Sequence, residues 1–246
     1  MIGLAERAGS AAGLERHPRL ASYVGERESQ MALVGQSAGN YQFLPGGGTL
    51  PFCSGVVADA GYGMIGLAHF FDNTFAGSAH GVAKGGLTRD GRELIAEIER
   101  RSMIVDVAHA SQRTIDDVLS IATRPVVASH TGVRGTADNA RNLPDDQLRG
   151  IAATGGLIGI GFWPTACGGE DAASIARSIA YAAGIAGVAH VGLGSDFDGA
   201  VPVPFDVAGL PLLTEALMIE GFDEADVGRI LGGNAMRVLS ATLPAT

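Results

Sequence analysis

From residue 61 onward, short apolar runs alternate along the chain with segments whose apolar residues recur at helical spacing. A short apolar run bounded by turn residues is typical of a buried strand, whereas recurrence every three or four residues is typical of one helix face. The apolar runs predict strands at Met64–Ala68, Met103–Ala108, Val126–Ala128, Leu157–Phe162 and Val191–Ser195. Strands that alternate with helices favour parallel pairing, because a parallel connection needs a crossover that a helix provides.

Residues suited to helix ends stand between the predicted strands. Thr88 and Ser111 occupy N-cap positions, where a hydroxyl oxygen accepts a hydrogen bond from the first helical turn. Pro125 cannot continue the second of these helices, and the consecutive glycines Gly155 and Gly156 end a third. Further helices are predicted at Ile175–Ala186, near Leu210–Ile219 and near Asp226–Leu231.

The whole pattern predicts an α/β fold, a TIM-type (β/α)8 barrel that is incomplete at its N-terminal strands. The chain of 246 residues has the usual length of such a barrel. Residues 1–60 lack clear periodicity apart from one candidate strand at Met31–Val34. Because this segment has hardly any room for three strand–helix units, we divide the chain into an N-terminal segment, 1–60, and a barrel domain, 61–246.

Three histidines stand where predicted strands end: His69 and His109 follow directly, and His130 follows Ala128 after Ser129. The carboxyl ends of parallel strands form the edge at which α/β folds carry out chemistry. Imidazole suits a divalent metal such as zinc, and His109 and His130 on neighbouring strand ends can share one ion. The alternative is a pair of capping or core histidines, which the matched placement disfavours. His80 lies in a Ser-Ala-His-Gly turn and is predicted to be a loop residue rather than a ligand.

Composition narrows the classes of partner. A net charge of −9 and the lack of any basic cluster argue against nucleic acid and anionic membranes. The two cysteines, Cys53 and Cys167, match no metal spacing and make no disulfide framework, so a reducing compartment is expected. No secretory signal or long apolar segment is recognisable, which predicts a cytoplasmic protein without a membrane segment. An open barrel edge would expose an unpaired strand and favours self-association as a homodimer.

Six short motifs, each weak alone, follow one another in the order and spacing of a known family. They are Gly86-Leu87-Thr88 with Gly91, Val105-Asp106-Val107-Ala108-His109-Ala110-Ser111, Pro125-Val126-Val127-Ala128-Ser129-His130, Arg141-Asn142-Leu143-Pro144-Asp145-Asp146, Gly194-Ser195-Asp196-Phe197-Asp198-Gly199 and Gly232-Gly233-Asn234. With this set, the chain resembles the membrane (renal-type) dipeptidases, peptidase family M19, of the amidohydrolase superfamily. The agreement of independent weak signals makes the resemblance specific.

The resemblance implies a zinc-dependent dipeptidase, a hydrolase whose barrel holds two zinc ions bridged by a carboxylate and a water. His109 and His130 match the two histidine ligands of one zinc. His69 matches a histidine that contacts the substrate and the developing oxyanion. Arg141 matches the arginine that binds the terminal carboxylate of a dipeptide, and a planar guanidinium suits that group. Asp196 matches the acid that carries protons during catalysis, as a positioned carboxylate can do.

Two parts of the family's pattern are missing from the sequence. The family has a His-x-Asp pair on its first strand and a Glu-Gly on its third, which supply the other zinc ligands and the bridging carboxylate. The sequence contains no His-x-Asp, and no acid follows the candidate strand Met31–Val34 at the expected place. Similarity breaks off over Gln36–Ser54 and resumes near Val57, as a shifted reading frame in that segment would produce. We therefore expect one zinc ion or fewer.

Three functions stay open at this point. The first is a zinc-dependent dipeptidase whose substrate carries a D-residue at its C-terminal side. The second is a truncated, catalytically impaired family member that binds a small carboxylated ligand. The third is a mononuclear amidohydrolase or lactonase, in which Asp196 joins His109 and His130 as a third metal ligand. The sequence does not specify which dipeptide is cleaved.

Overall fold

The structure is a computed structural model that describes residues 62–198 and 200–243. The predictions at Met31–Val34 and Gln36–Ser54, and the division at residue 60, therefore lie outside the described residues. The described residues fall into two compact units, 62–124 with 242–243 and 125–241. In both units, strands alternate with helices along the chain, as the apolar pattern predicts.

The first unit contains two parallel strands, each followed by a helix. Its elements are β1 (Met64–Gly66), α1 (Arg89–Arg100), β2 (Ile104–Asp106) and α2 (Gln112–Ile121). The strands pair with Ile65 opposite Val105. Both predicted N-caps are confirmed, because the Thr88 and Ser111 hydroxyl oxygens each accept a backbone N–H from the first turn of their helix.

The second unit repeats the same alternation with three parallel strands. Its elements up to residue 219 are β3 (Val126–Thr131), α3 (Asp145–Ala153), β4 (Leu157–Ile160), α4 (Pro164–Cys167), α5 (Ala172–Ala186), β5 (Val191–Leu193) and α6 (Leu210–Ile219), with short 3-10 turns at Val188–His190 and Val207–Gly209. Val127 lies opposite Leu157, and Ile158 opposite Val191. The predicted stop after α3 is confirmed, since Gly155 adopts a φ of +79° that glycine accommodates most easily.

Strand β3 differs from the prediction, which ended it at Ala128 and placed His130 just beyond. The strand runs on to Thr131, so His130 lies inside it. Between Ala128 and Thr131 the register against β4 shifts, because three steps along β3 match two along β4. At this bulge the chain passes close to β4, because a Cβ on Gly159 would overlap the Ser129 carbonyl oxygen. Bulges re-aim side chains and are common beside active sites.

The C-terminal part also departs from the predicted helix near Asp226–Leu231. The observed elements are α7 (Glu224–Gly228), a π-helical turn (Arg229–Gly233) and α8 (Asn234–Thr242). Gly232 is extended, with a φ of 168°, and two consecutive glycines have too little helix preference to hold a regular α-helix. The side-chain amide of Asn234 donates to the carbonyls of Val188 and Val191, which ties the start of α8 to β5.

The helices are short and bury one side. Helix α5, at 15 residues, is the longest in the described part of the chain. Its buried positions include Ile175, Ile179 and Ala182, which follow helical spacing. Within residues 62–198 and 200–243, no helix combines the length and the apolar character needed to cross a membrane.

Candidate active site

In the first unit, the structure brings together two of the predicted site residues, His69 and His109. Each follows a strand, β1 and β2 respectively, so parallel pairing places both at the same sheet edge. The two imidazole rings meet edge to face, with centroids 4.3 Å apart. The Phe70 ring joins them, at 4.2 Å from His69 and 5.7 Å from His109.

A third imidazole, that of His80, lies beside this pair. Its ring centroid is 5.4 Å from that of His109 and 5.2 Å from that of Phe70. The loop is fixed there because the N–H of Ala79 donates to the His109 carbonyl at 2.8 Å, and the Ser78 hydroxyl donates to the His69 carbonyl. His80 is an exposed loop residue, as predicted, but no spacing in the sequence signalled its approach to His109.

Asp72 holds the loop between β1 and α1 in shape. Its carboxylate accepts the backbone N–H groups of Ser78 at 2.9 Å and Ala83 at 2.8 Å. Burial alone would raise the pKa of Asp72, but hydrogen bonds from the backbone of Ser78, Ala83, Lys84 and Val82 outweigh it and lower the pKa. The carboxylate is therefore an ionised structural anchor for the segment that carries His80.

Two predicted site residues sit in the left-handed region of backbone conformation. His109 has a φ of 61° and Asp196, which follows β5, a φ of 58°. Residues with a side chain pay a conformational cost there, and such positions concentrate at functional sites. Before Asp196, the N–H of Gly194 donates to the Ile160 carbonyl at 2.9 Å, which carries the chain of β5 up to the turn.

In the second unit, Arg141 is held against the end of β3. One guanidinium nitrogen donates to the His130 carbonyl at 2.6 Å, and another to the Thr131 hydroxyl at 3.3 Å. The guanidinium carbon lies 5.9 Å from the centre of the Trp163 ring. Arg141 and His130, which the sequence predicts as carboxylate-binding and metal-binding residues, are therefore neighbours.

The imidazole of His130 has defined partners of its own. The Ser129 hydroxyl lies 2.9 Å from Nδ1, in a hydrogen bond whose direction depends on the tautomer. The Trp163 ring is 6.0 Å away, edge to face. Because Nδ1 lies within hydrogen-bond distance of the Ser129 hydroxyl, Nε2 is the atom through which this histidine would bind a metal. The sequence analysis missed Trp163. This residue is far from Arg141 along the chain and belongs to none of the motifs, so no sequence signal indicated that the two side chains meet.

The loop that carries Arg141 is closed on itself. Val133 and Leu143 form a bridge, and the N–H of Leu143 donates to the Gly132 carbonyl at 2.9 Å. Asn142 is fully buried within this loop, and its amide nitrogen donates to the carbonyls of Ala137, Thr165 and Ala166. These bonds fix the backbone on which Arg141 is mounted.

The fit of a metal ion can be judged from the donor atoms. Imidazole nitrogen suits zinc, so His109 and His130 fit as ligand types. In residues 62–198 and 200–243, however, no three His, Cys, Asp or Glu side chains form a group that could hold an ion. The described residues therefore provide donors of the right kind and an incomplete ligand set.

Comparisons with known proteins agree with the resemblance seen in the sequence motifs. Residues 56–245 match the sequence profile of the family described as membrane dipeptidase (peptidase family M19). Dipeptidase aclJ of Aspergillus oryzae is 37% identical over 183 residues, which are 70% of this chain and 43% of that protein. Dipeptidase verJ of Clonostachys rogersoniana is 34% identical over 74% of this chain and 48% of its own length. The chain thus spans about half the length of these curated relatives.

Solved structures show the same likeness. A metallo peptidase of Rhodobacter sphaeroides, liganded with a phosphinate mimic of the dipeptide L-Ala-D-Ala, has a TM-score of 0.69 and 29% identity. The match covers 77% of this chain and 58% of that one. The predicted α/β fold of the TIM-barrel type is therefore confirmed, and the described residues provide five of its strands. The extent of the family match shows that the chain belongs to the membrane dipeptidase family, peptidase family M19.

Proposed function

We propose that this protein is a metal-dependent dipeptidase that hydrolyses the peptide bond of dipeptides. The observation that carries the proposal is the contact between Arg141 and His130 at the end of β3. It puts a cation suited to a substrate carboxylate next to an imidazole suited to a metal ion. A dipeptide carries both groups that this arrangement would address, a terminal carboxylate and a nearby peptide carbonyl.

In this proposal, Arg141 binds the C-terminal carboxylate of the substrate. Its bonds to the His130 carbonyl and the Thr131 hydroxyl hold two of the guanidinium nitrogens in place. A fixed guanidinium plane favours a carboxylate that approaches in that plane, because two parallel N–H bonds can then form. Substrate orientation would follow from this anchor, since the peptide carbonyl lies a short, fixed distance from the carboxylate.

The remaining roles follow the sequence prediction. His69 would donate to the oxygen on which negative charge develops, and the His109 ring beside it limits its orientation. Asp196 would accept a proton from the attacking water and deliver it to the leaving amine. His109 and His130 are the residues that we expect to hold a zinc ion, which when bound supplies hydroxide from water near neutral pH.

We infer that the preferred substrates are small dipeptides with a D-residue at the C-terminal side. Support comes from the Rhodobacter sphaeroides peptidase, whose ligand mimics L-Ala-D-Ala. The expectations of no nucleic-acid partner, of a homodimer and of a cytoplasmic location stay predictions. Size-exclusion chromatography with light scattering would test the dimer.

The test measures metal content and hydrolysis on the same purified chain. After dialysis against zinc, we expect bound metal by elemental analysis and release of D-Ala from L-Ala-D-Ala. Chelation should abolish turnover, and Asp196→Asn should abolish it without removing the metal. Arg141→Met should raise KM for the dipeptide far more than it lowers kcat. Hydrolysis that persists in the chelated protein, or in Asp196→Asn, would contradict the proposal.

A second candidate is a catalytically impaired family member that binds a carboxylated ligand. It is favoured by the incomplete ligand set in the described residues and by the lack of His-x-Asp in the sequence. This function predicts that L-Ala-D-Ala binds without being cleaved, even at saturating zinc. Isothermal titration calorimetry with the dipeptide, followed by analysis of the recovered ligand, separates the two candidates.

A further inference from the structure

Trp163 is the single tryptophan of the chain, and it is packed where Arg141 and His130 meet. The Arg141 guanidinium carbon is 5.9 Å from the Trp163 ring centre, and the His130 ring is 6.0 Å from it. The side chain is buried, with 8% of its surface exposed. An indole face attracts a guanidinium within about 6 Å, and more strongly where water is excluded.

The residues on either side of Trp163 restrict the position of its indole ring. A Cβ on Gly161 would overlap the six-membered ring of Trp163, so this position has to be glycine for the ring to occupy its cleft. Pro164 follows directly as the first residue of α4, which restricts the backbone on the other side of Trp163. The ring is therefore fixed before any ligand arrives.

Arg141 is held from the opposite direction by polar contacts. Its guanidinium donates to the His130 carbonyl and the Thr131 hydroxyl, and its backbone N–H donates to the Asn139 side chain at 2.9 Å. These bonds determine where two of the nitrogens lie. The contact with the Trp163 face then limits how the guanidinium plane can rotate about those two nitrogens.

We propose that Trp163 is a positioning residue, which orients the Arg141 guanidinium toward the free carboxylate of the substrate. The inference rests on the proposed function of Arg141 and extends it to specificity. Trp163 acts through Arg141 and contributes selectivity for ligands with an ionised C-terminal carboxylate over ligands whose C-terminus is amidated. A guanidinium that is already oriented loses less conformational entropy when the ligand binds, so the ligand binds more tightly.

The first part of the test needs no ligand. Because the chain has one tryptophan, the emission maximum and near-ultraviolet circular dichroism report Trp163 alone among indoles. Arg141→Met removes the cation from the ring and should shift both signals. Arg149→Met, in which an exposed arginine of α3 is replaced, is the matched control and should leave them unchanged. Unchanged signals in Arg141→Met would overturn the proposal.

The second part measures ligand selectivity in Trp163→Leu and Trp163→Phe. For L-Ala-D-Ala, Trp163→Leu should raise KM by roughly 3- to 30-fold with kcat little changed, in line with the strength of cation–π contacts. Trp163→Phe keeps an aromatic face and should restore most of the affinity. For the amidated dipeptide, which lacks the carboxylate, both variants should behave as the parent does. Ile179→Val loosens the same unit elsewhere and should not change the ratio between the two ligands.

Binding measured in the Asp196→Asn background keeps the two proposals apart. Titration calorimetry with uncleaved L-Ala-D-Ala gives a dissociation constant whether or not the parent protein has peptidase activity. A parent protein that binds the dipeptide but does not cleave it would refute dipeptidase activity. The role of Trp163 would then be decided by the ratio of the dissociation constants for the free and the amidated dipeptide. Equal losses for the free and amidated dipeptides in Trp163→Leu would refute positioning. A parent that does not bind the dipeptide refutes the carboxylate site, and with it the selectivity assigned to Trp163.

Discussion

The amide nitrogen of Asn142 lies 2.7 Å from the carbonyl oxygen of Ala137, and it also reaches the carbonyls of Thr165 and Ala166. One buried side chain thus joins two segments that are more than twenty residues apart in the chain. Since Arg141 precedes it directly, this junction sets the backbone of the proposed carboxylate anchor.

We expect Asn142→Asp to be strongly destabilising, although the two side chains have the same shape. The change replaces a donor by an acceptor that faces carbonyl oxygens in a buried place, at a cost of at least about 2 kcal/mol. Urea unfolding monitored by circular dichroism gives the free energy of unfolding. Asn139→Asp is the comparison variant, because Asn139 is only partly buried: its amide also donates to the Thr165 carbonyl at 2.8 Å, but an aspartate there keeps the bonds accepted from the N–H groups of Arg141 and Asn142 and is reached by water, so a smaller loss is expected. Equal losses in both variants would contradict the prediction.

Two glycine replacements test whether the space between Gly159 and the Ser129 carbonyl is too small for a side chain. Gly159→Ala should lower the free energy of unfolding by roughly 1–3 kcal/mol, because the new methyl group would overlap the Ser129 carbonyl. Gly184→Ala, on an exposed position of α5 with open space around it, should instead raise stability by up to about 1 kcal/mol through helix preference. Chemical denaturation of both variants measures the contrast. Similar effects of the two substitutions would show that Gly159 is not confined by the bulge.

The left-handed backbone of Asp196 predicts that two replacements differ in stability although both abolish activity. At a φ of 58°, glycine is favoured over alanine, so Asp196→Gly should be about 1 kcal/mol more stable than Asp196→Ala. Both variants should lack dipeptidase activity. The control pair stands at Glu220, where φ is −71°, and there alanine should be the more stable replacement. Thermal melts and an L-Ala-D-Ala assay decide the matter, and an active Asp196→Gly would contradict the assigned role.

The pH dependence of stability should reflect Glu97 on α1. Hydrogen bonds from Arg100 at 2.6 Å, and secondarily from Arg101 at 2.6 Å, outweigh partial burial and lower the pKa of Glu97 from 4.5 to about 2. The folded state therefore binds this proton more weakly than the unfolded chain does. The contribution to stability is present above about pH 4.5 and is lost as the pH falls toward 2. Because the arginines are partly exposed, we expect on the order of 1 kcal/mol or less.

Glu97→Gln provides the measurement for this effect. Between about pH 5.5 and pH 3.5, the free energy of unfolding should fall less steeply in the variant than in the parent protein. Glu93→Gln alters the exposed ion pair with Arg89 on the same helix and serves as the control. A parent and a Glu97→Gln variant with the same slope would disprove the assignment.

Much of the fold was predictable because its signals are local. Apolar runs and caps at Thr88 and Ser111 act within a few residues, and the observed strands and helices begin close to the predicted places. The strand-end rule predicted that His69 and His109 each follow a strand, whereas the contact between their two rings was not predicted, since the pair expected to share an ion was His109 and His130. No local signal was available for the bulge in β3, where the Ser129 carbonyl lies against Gly159 of the neighbouring strand β4.

The missed parts of the site arise from contacts between distant segments. His80 approaches His109 because Ala79 bonds to the His109 carbonyl, a closure that spacing along the chain does not encode. Trp163 meets Arg141 through the fold of a long loop and a cleft opened by Gly161. The sequence identifies residues whose side chains can bind a metal. Which of them surround one ion depends on the fold, and the sequence does not show this.

The extra residue of β3 between Ala128 and Thr131 bears on how this segment can vary in evolution. Deletion of one codon there would restore regular alternation and still leave a buried strand pairing with β4. Thr131 would stay opposite Ile160 and keep its face, whereas His130 would be lost or re-aimed where the bulge had been. A change of length at this point therefore acts on the orientation of His130 rather than on the pairing of β3 with β4, whereas a substitution elsewhere in the strand leaves both unchanged.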